Sequence, residues 1–135
     1  MKTLLLFFLF LAILPLTACR PSPGPQATTA KLTLTLTPVR RTEFGSGTVT
    51  FTPTPKSGDA NCKLVGDKPI TCSANFSLGE SVTLSVFADP QASSLESING
   101  CTVTKCEGCR PGETTCQLTM DGDKSVAASF IGLLH

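Results

Sequence analysis

The chain has 135 residues and a formal net charge of +1, with 41% hydrophobic and 16% charged residues. Apart from Lys2 in an apolar leader, ten Lys and Arg face ten Asp and Glu, so no basic surplus attracts nucleic acid or anionic lipid. Past that leader only five Phe remain, with no Trp or Tyr, and six cysteines follow Cys19; a core this thin calls for covalent cross-links.

Lys2 gives a positive start, and Leu4–Leu14 is an uncharged apolar run that Pro15 breaks. The run is too short and wrongly flanked to span a bilayer, and reads as a secretory signal helix over 1–18. Leu16-Thr17-Ala18-Cys19 closes it with an aliphatic residue, two small residues and a cysteine, and so resembles the bacterial lipobox. The resemblance implies cleavage before Cys19, diacylglycerol on its sulfur, and an acyl group such as palmitate on the new amine. Membrane lipid is then the first partner, since two or three chains are needed for stable anchoring. An ordinary signal peptide with a chance cysteine, or an uncleaved anchor, is the plainer alternative. Arg20 stands where the Gram-negative sorting rule reads Asp, and by that resemblance a cell-envelope lipoprotein of this kind goes to the outer membrane.

Residues 19–30 comprise the lipidated cysteine and a tether. Arg20–Ala30 holds three prolines, a glycine and small polar residues, so it forms no core. It is expected to be extended, partly polyproline II, at about 3 Å per residue.

From residue 31 to 135 the chain alternates with period two, the mark of half-buried strands. Leu32, Leu34 and Leu36 point one way and Thr33, Thr35 and Thr37 the other. Val49 and Phe51 alternate with Thr48, Thr50 and Thr52 until Pro53 and Pro55 stop the strand. Cys72, Ala74 and Phe76 share a face, as do Val82, Leu84 and Val86, then Cys116, Leu118 and Met120, and last Val126, Ala128 and Phe130. Leu78-Gly79-Glu80 and Asp121-Gly122-Asp123 read as hairpin turns. Asp89-Pro90 ends the strand before it. No stretch carries a helical apolar stripe. The expected fold is all-β, a small antiparallel sandwich or rolled sheet of about six strands, stapled by disulfides.

Gly45-x-Gly47-x-Val49, Cys62 and Cys72, Phe76-x-x-Gly79-x-x-Val82-Thr83-Leu84, Gly100-Cys101, Cys116-x-Leu118-Thr119-Met120 and Lys124-Ser125-Val126-x-Ala128-x-Phe130 occur in one order. This series resembles the divergent internalin B-repeat, or bacterial repeat, domain. The resemblance covers Gly45–Phe130 and implies a β-rich stalk or binding module on an exported protein, without catalysis. Two features depart from it: Leu95 and Ile98 stand where Phe and Trp are usual, and Cys106-Glu107-Gly108-Cys109 is inserted. The resemblance also implies the pairs Cys62–Cys72 and Cys101–Cys116, leaving Cys106 and Cys109 to each other.

The residues alone leave the pairing of six cysteines open. Cys101-x4-Cys106-x2-Cys109-x6-Cys116 could supply four thiolates to zinc. Against this, an exported chain meets oxidising surroundings, where thiols become disulfides. A redox pair at Cys106 and Cys109 would want a helix N-terminus to lower the thiol pKa, and Pro111 and the absent helical pattern oppose one.

Catalysis needs a base near a nucleophile, or paired carboxylates in a pocket. The sole histidine is His135, and the Ser and Thr are outward partners of apolar strand residues. Asp121 and Asp123 could suggest calcium but lack further oxygens and read as turn residues. Arg40-Arg41 and Arg110 could meet an anion, though solvated strand ends account for them. No cofactor and no nucleic-acid partner are expected. The chain therefore reads as a membrane-anchored, non-catalytic binding or display module; alternatives are a structural envelope protein acting in assembly, then a redox or zinc protein. The candidate contact surface is Leu95–Cys116, where Lys105, Glu107, Arg110 and Glu113 put both charges around a clamp, suited to an envelope protein or a glycan. A staple that merely resists proteolysis is the alternative use of the same loop.

Overall fold

The computed structural model describes residues 21, 22 and 24–134; the leader, Cys19, Arg20 and His135 lie outside the described residues. The strands are β1 (Thr29–Val39), β2 (Gly47–Thr52), β3 (Ser57–Gly58), β4 (Asn61–Leu64), β5 (Ile70–Ser77), β6 (Ser81–Phe87), β7 (Ser93–Asn99), β8 (Thr102–Thr104), β9 (Glu113–Thr119) and β10 (Lys124–Gly132). They form two five-stranded sheets, β3-β5-β1-β10-β7 and β4-β2-β6-β9-β8, and no helix occurs among the described residues.

The alternation of apolar residues decides which face of each strand turns inward. Leu32, Leu34 and Leu36 of β1, Val49 and Phe51 of β2, Ala74 and Phe76 of β5, and Val82, Leu84 and Val86 of β6 are buried between the sheets. Cys116 and Met120 from β9 and its end join them, as do Val126, Ala128 and Phe130 of β10, with Cys72 and Leu118 partly buried at the margin. Each fully buried Leu, Val or Phe contributes roughly 1.5–3 kcal/mol. Among the described residues one aromatic pair lies in this core: Phe51 and Phe76 meet edge to face, centroids 5.8 Å apart.

The strand count and the turns differ from the sequence expectation. Among the described residues there are ten strands rather than about six, because β3, β4 and β8 are too short to show a period and β7 is bulged. In β7 the register slips between Ser129 and Phe130 of β10, so that Ile98 pairs with Ala128 and Leu95 with Phe130 while Glu96 bulges out. The bulge brings two apolar residues three apart onto one face, which no period-two search recovers. The two expected hairpins are not hairpins. Leu78-Gly79-Glu80 leads from β5 to β6 and Asp121-Gly122-Asp123 from β9 to β10, and in both cases the flanking strands lie in opposite sheets. The chain in fact changes sheet at every connection except β8–β9. The pairing is antiparallel throughout except for β1 and β10, which run parallel over eight registered pairs from Leu32–Lys124 to Val39–Ile131. The expected tether gives way to strand two residues early: β1 begins at Thr29, and Ala30 is already buried in it.

Because β1 is central and runs one way through the sandwich, the molecule has two distinct poles. At the entry pole, Thr28 O accepts from Leu78 N, Asp123 Oδ1 accepts from Lys31 N, and Met120 O accepts from Gly79 N. At the far pole are the segment after Val39, the connection Ala88–Ala92, the β8–β9 hairpin and Leu133–Leu134; Ala88 N donates to Gly112 O and Leu133 N to Ala92 O.

Three disulfides close the structure: Cys62–Cys72, Cys101–Cys116 and Cys106–Cys109, with Cα separations of 5.9, 5.7 and 5.5 Å. They are the pairs the repeat resemblance implies. Cys62 on β4 and Cys72 on β5 join the two sheets across the core. Cys101, which follows β7, is joined to Cys116 on the inner side of β9 and ties the sheets at the opposite edge.

Gly47 shows why small residues open β2. The Phe130 ring fills the space where a Cβ on Gly47 would stand, and Phe130 is fully buried with nowhere to retreat. Gly47→Ala should therefore cost about 1–3 kcal/mol in urea unfolding, as an overpacked core does. Gly122 has open space around it, and Gly122→Ala should stay within about 0.5 kcal/mol. Equal midpoints for the two variants would refute this account.

Candidate functional site

The β8–β9 hairpin is the one place where successive strands pair directly, and it carries all four candidate contact residues. At its base Thr104 and Thr115 hydroxyls lie 2.9 Å apart, and Thr115 Oγ1 donates to Thr104 O. Its tip is closed by Cys106–Cys109, with Gly108 at φ +80° between them. On its return leg Gly112, at φ +81°, brings its carbonyl to Ala88 N, and a Cβ there would strike Ala88 O. Glycine is required at this point both by conformation and by space.

Arg110 and Glu113 act together. The Arg110 Nε and Glu113 Oε2 atoms lie 3.6 Å apart, and the Arg110 guanidinium carbon sits 3.7 Å from the centroid of the Phe87 ring. Phe87 and Glu113 are registered neighbours on β6 and β9, which places the ion pair and the ring on the outer face of the second sheet. The Arg110 side chain is 63% exposed, so the ion pair itself adds little; the stacked guanidinium contributes about 0.5–1 kcal/mol. Lys105 and Glu107 are exposed, with no ion pair of their own among the described residues. Of the four candidates the fold thus brings two together over an aromatic ring and leaves two in solvent.

Phe87 is the residue that sequence reasoning passed over. It follows Val82, Leu84 and Val86 at the opposite parity, and that parity was the available signal for an outward aromatic side chain. A cleft of about 370 Å³ opens beside it, lined by Phe87, Thr48, Lys63, Val65 and Asp89. A second of about 330 Å³ lies between the sheets near Ser93, Leu95 and Leu133. Ser93 is the buried polar residue there, and its hydroxyl accepts from Ser46 N at 2.9 Å.

Other candidates find local partners. Asp121 pairs with Lys124, whose hydrogen bond and charge hold its carboxyl below the usual carboxylate range. Asp123 caps the Lys31 amide. Both acids serve the entry-pole turn and do not converge. Arg40 lies 5.4 Å over the Phe44 ring at the far pole. The sulfurs required for zinc are consumed in disulfides, and Cys106 sits on a hairpin rather than at the helix end that would lower its pKa.

Compared with known proteins, the chain matches no family model, no curated protein and no solved structure.

Two consequences can be measured. Arg110→Ala should lower stability by about 0.5–1 kcal/mol and speed amide exchange through 105–112, whereas Lys105→Ala should stay within about 0.5 kcal/mol. Unchanged exchange in the first variant would mean that the stacked guanidinium does not hold the hairpin. In the chain-entropy treatment, replacing Cys62 and Cys72, or Cys101 and Cys116, should cost about 3 kcal/mol, and replacing Cys106 and Cys109 about 2, because its loop is shortest. A larger loss from the tip pair would reverse that ranking.

Proposed function

We propose that this chain is a bacterial cell-envelope lipoprotein whose β sandwich is a non-catalytic binding module, held off the membrane and displaying its far pole. In this reading Cys19 carries the lipid, and the proline-rich stretch ahead of β1 is the tether. The supporting observation is polarity. The described chain enters β1 at the pole bearing the β5–β6 and β9–β10 turns, while the clamped β8–β9 hairpin stands at the other end. A partner approaching from beyond the membrane surface would meet the hairpin, the Arg40–Phe44 pair and exposed Val65 first. The lipobox pattern supplies the anchor and the sorting residue Arg20 favours the outer membrane. The internalin B-repeat resemblance fits the same use, display without catalysis.

Expression of the full chain in a Gram-negative host with radiolabelled palmitate tests the anchor. The native protein should fractionate with membranes and carry label; Cys19→Ala should lose the label and leave the membrane fraction. A Cys19→Ala protein that still carries label and still sediments with membranes would end the lipoprotein reading.

A further inference from the structure

The two outer sheet faces are alike in one respect and differ in another. On both, the outward strand positions are mostly Ser and Thr, as β-propensity and cross-strand hydroxyl pairing favour. On the second sheet these residues stand in register across four strands. Thr50, Ser85, Thr115 and Thr104 make one row, and Thr52, Thr83, Gln117 and Thr102 the next. Neither row holds a formal charge; Lys63 and Glu113 stand in the row nearest the far pole with Thr48 and Phe87 between them, and Asp89 joins Lys63, of opposite sign, in the cleft beside that ring. Two hollows open on this face. One is the cleft beside Phe87, and the other, of about 360 Å³, is lined by Ser81, Thr102, Thr104, Gln117 and Thr119. The first sheet has the hydroxyls but no outward aromatic residue on its strands.

We propose that the outer face of the second sheet is a platform for an extended, uncharged glycan strand. The assignment rests on the display reading and deepens it by naming the partner. Charge selects the partner's class: rows of neutral donors and acceptors match a hydroxyl-rich, uncharged chain, and a charged polymer would find no counter-ion along them. Phe87 supplies the apolar surface that the C–H face of a sugar ring needs. Arg110 covers the ring on one side and is absent from the cleft lining, so it positions Phe87 without occupying the ligand's place. Strands about 4.8 Å apart, with outward residues repeating about every 6.8 Å, give a regular lattice over which a stretched ligand of several sugar units can lie. The face is built of paired strands before any ligand arrives, so little ordering entropy opposes contact.

The test uses the purified full-length protein in mild detergent, with depletion isotherms on chitin particles and on peptidoglycan sacculi. Native protein should be retained on both. Phe87→Leu, and separately the exposed pair Thr50→Arg with Gln117→Arg, should each weaken retention by about tenfold or more. Thr71→Arg on the first sheet should leave retention unchanged, and all variants should melt near the native temperature. Should Phe87→Leu fail to fold, the Thr50→Arg/Gln117→Arg protein decides. No retention of native protein on either material overturns the proposal, as does native-like binding by the decisive variants. Retention on sacculi alone would assign the contact to peptide stems, and equal loss in Thr71→Arg would place it elsewhere; either overturns the platform. Because the isotherm contains no membrane, it stands apart from the Cys19 result: the anchor can fail while the glycan contact holds, and the reverse.

Discussion

Two covalent ties across the interior fix this fold, one at each lateral edge. The chain changes sheet at all but one connection, so few of its turns are reinforced by pairing between the strands they join. Sheet-to-sheet cohesion must then come from the inner faces alone. Those faces carry Leu, Val, Ala and a few Phe, with no Trp or Tyr to add area. Cys62–Cys72 and Cys101–Cys116 restrict the unfolded chain and hold the inner faces in contact, each worth a large share of the 5–15 kcal/mol typical of a domain. Cross-links of this kind form and persist in oxidising surroundings, so the fold depends on the redox state it meets as well as on its core.

The central position of β1 has a similar logic. It lies between β5 and β10, antiparallel to one and parallel to the other, and its three leucines are fully buried. The first strand of the domain is thus a core strand rather than an edge. The Lys31–Asp123 and Leu78–Thr28 hydrogen bonds fix the point at which the chain enters it. This is why the poles can be assigned at all.

Six strands were readable because burial on one face imposes strict alternation, as Leu32-Thr33-Leu34 and Val82-Thr83-Leu84 show. What escaped did so for physical reasons. The segment Asn61–Leu64 has two inward residues, Cys62 and Leu64, too few to establish a period. In β7 a bulge at Glu96 replaces the period, and Leu95 and Ile98 pack inward three residues apart. The arches were misread because a short Gly turn between two alternating strands looks the same whether the strands pair or face each other across a core. Gly79 does take a positive φ, but Gly122 does not, so Asp-Gly served there without the hairpin geometry it suggests. The candidate site was legible in its clamp and its charges. It was not legible in its ring, since Phe87 belongs to a strand whose inward residues had already explained it.

The tip disulfide and the outward phenylalanine are linked through one side chain. Cys106–Cys109 and the Gly112–Ala88 contact limit the paths open to the hairpin's return leg. That leg carries Arg110, and Arg110 lies flat on Phe87 while Glu113 engages its Nε. A half-buried phenyl ring on an open sheet face would otherwise turn down onto its neighbours, since apolar area exposed to water is costly. Covered on one side by the guanidinium and in register with Thr48, it stands at the border between a charged rim and an uncharged hydroxyl lattice. The clamp, the Gly112 contact and the ion pair thus bracket Arg110, and Arg110 lies on the aromatic ring on the outer face of the second sheet.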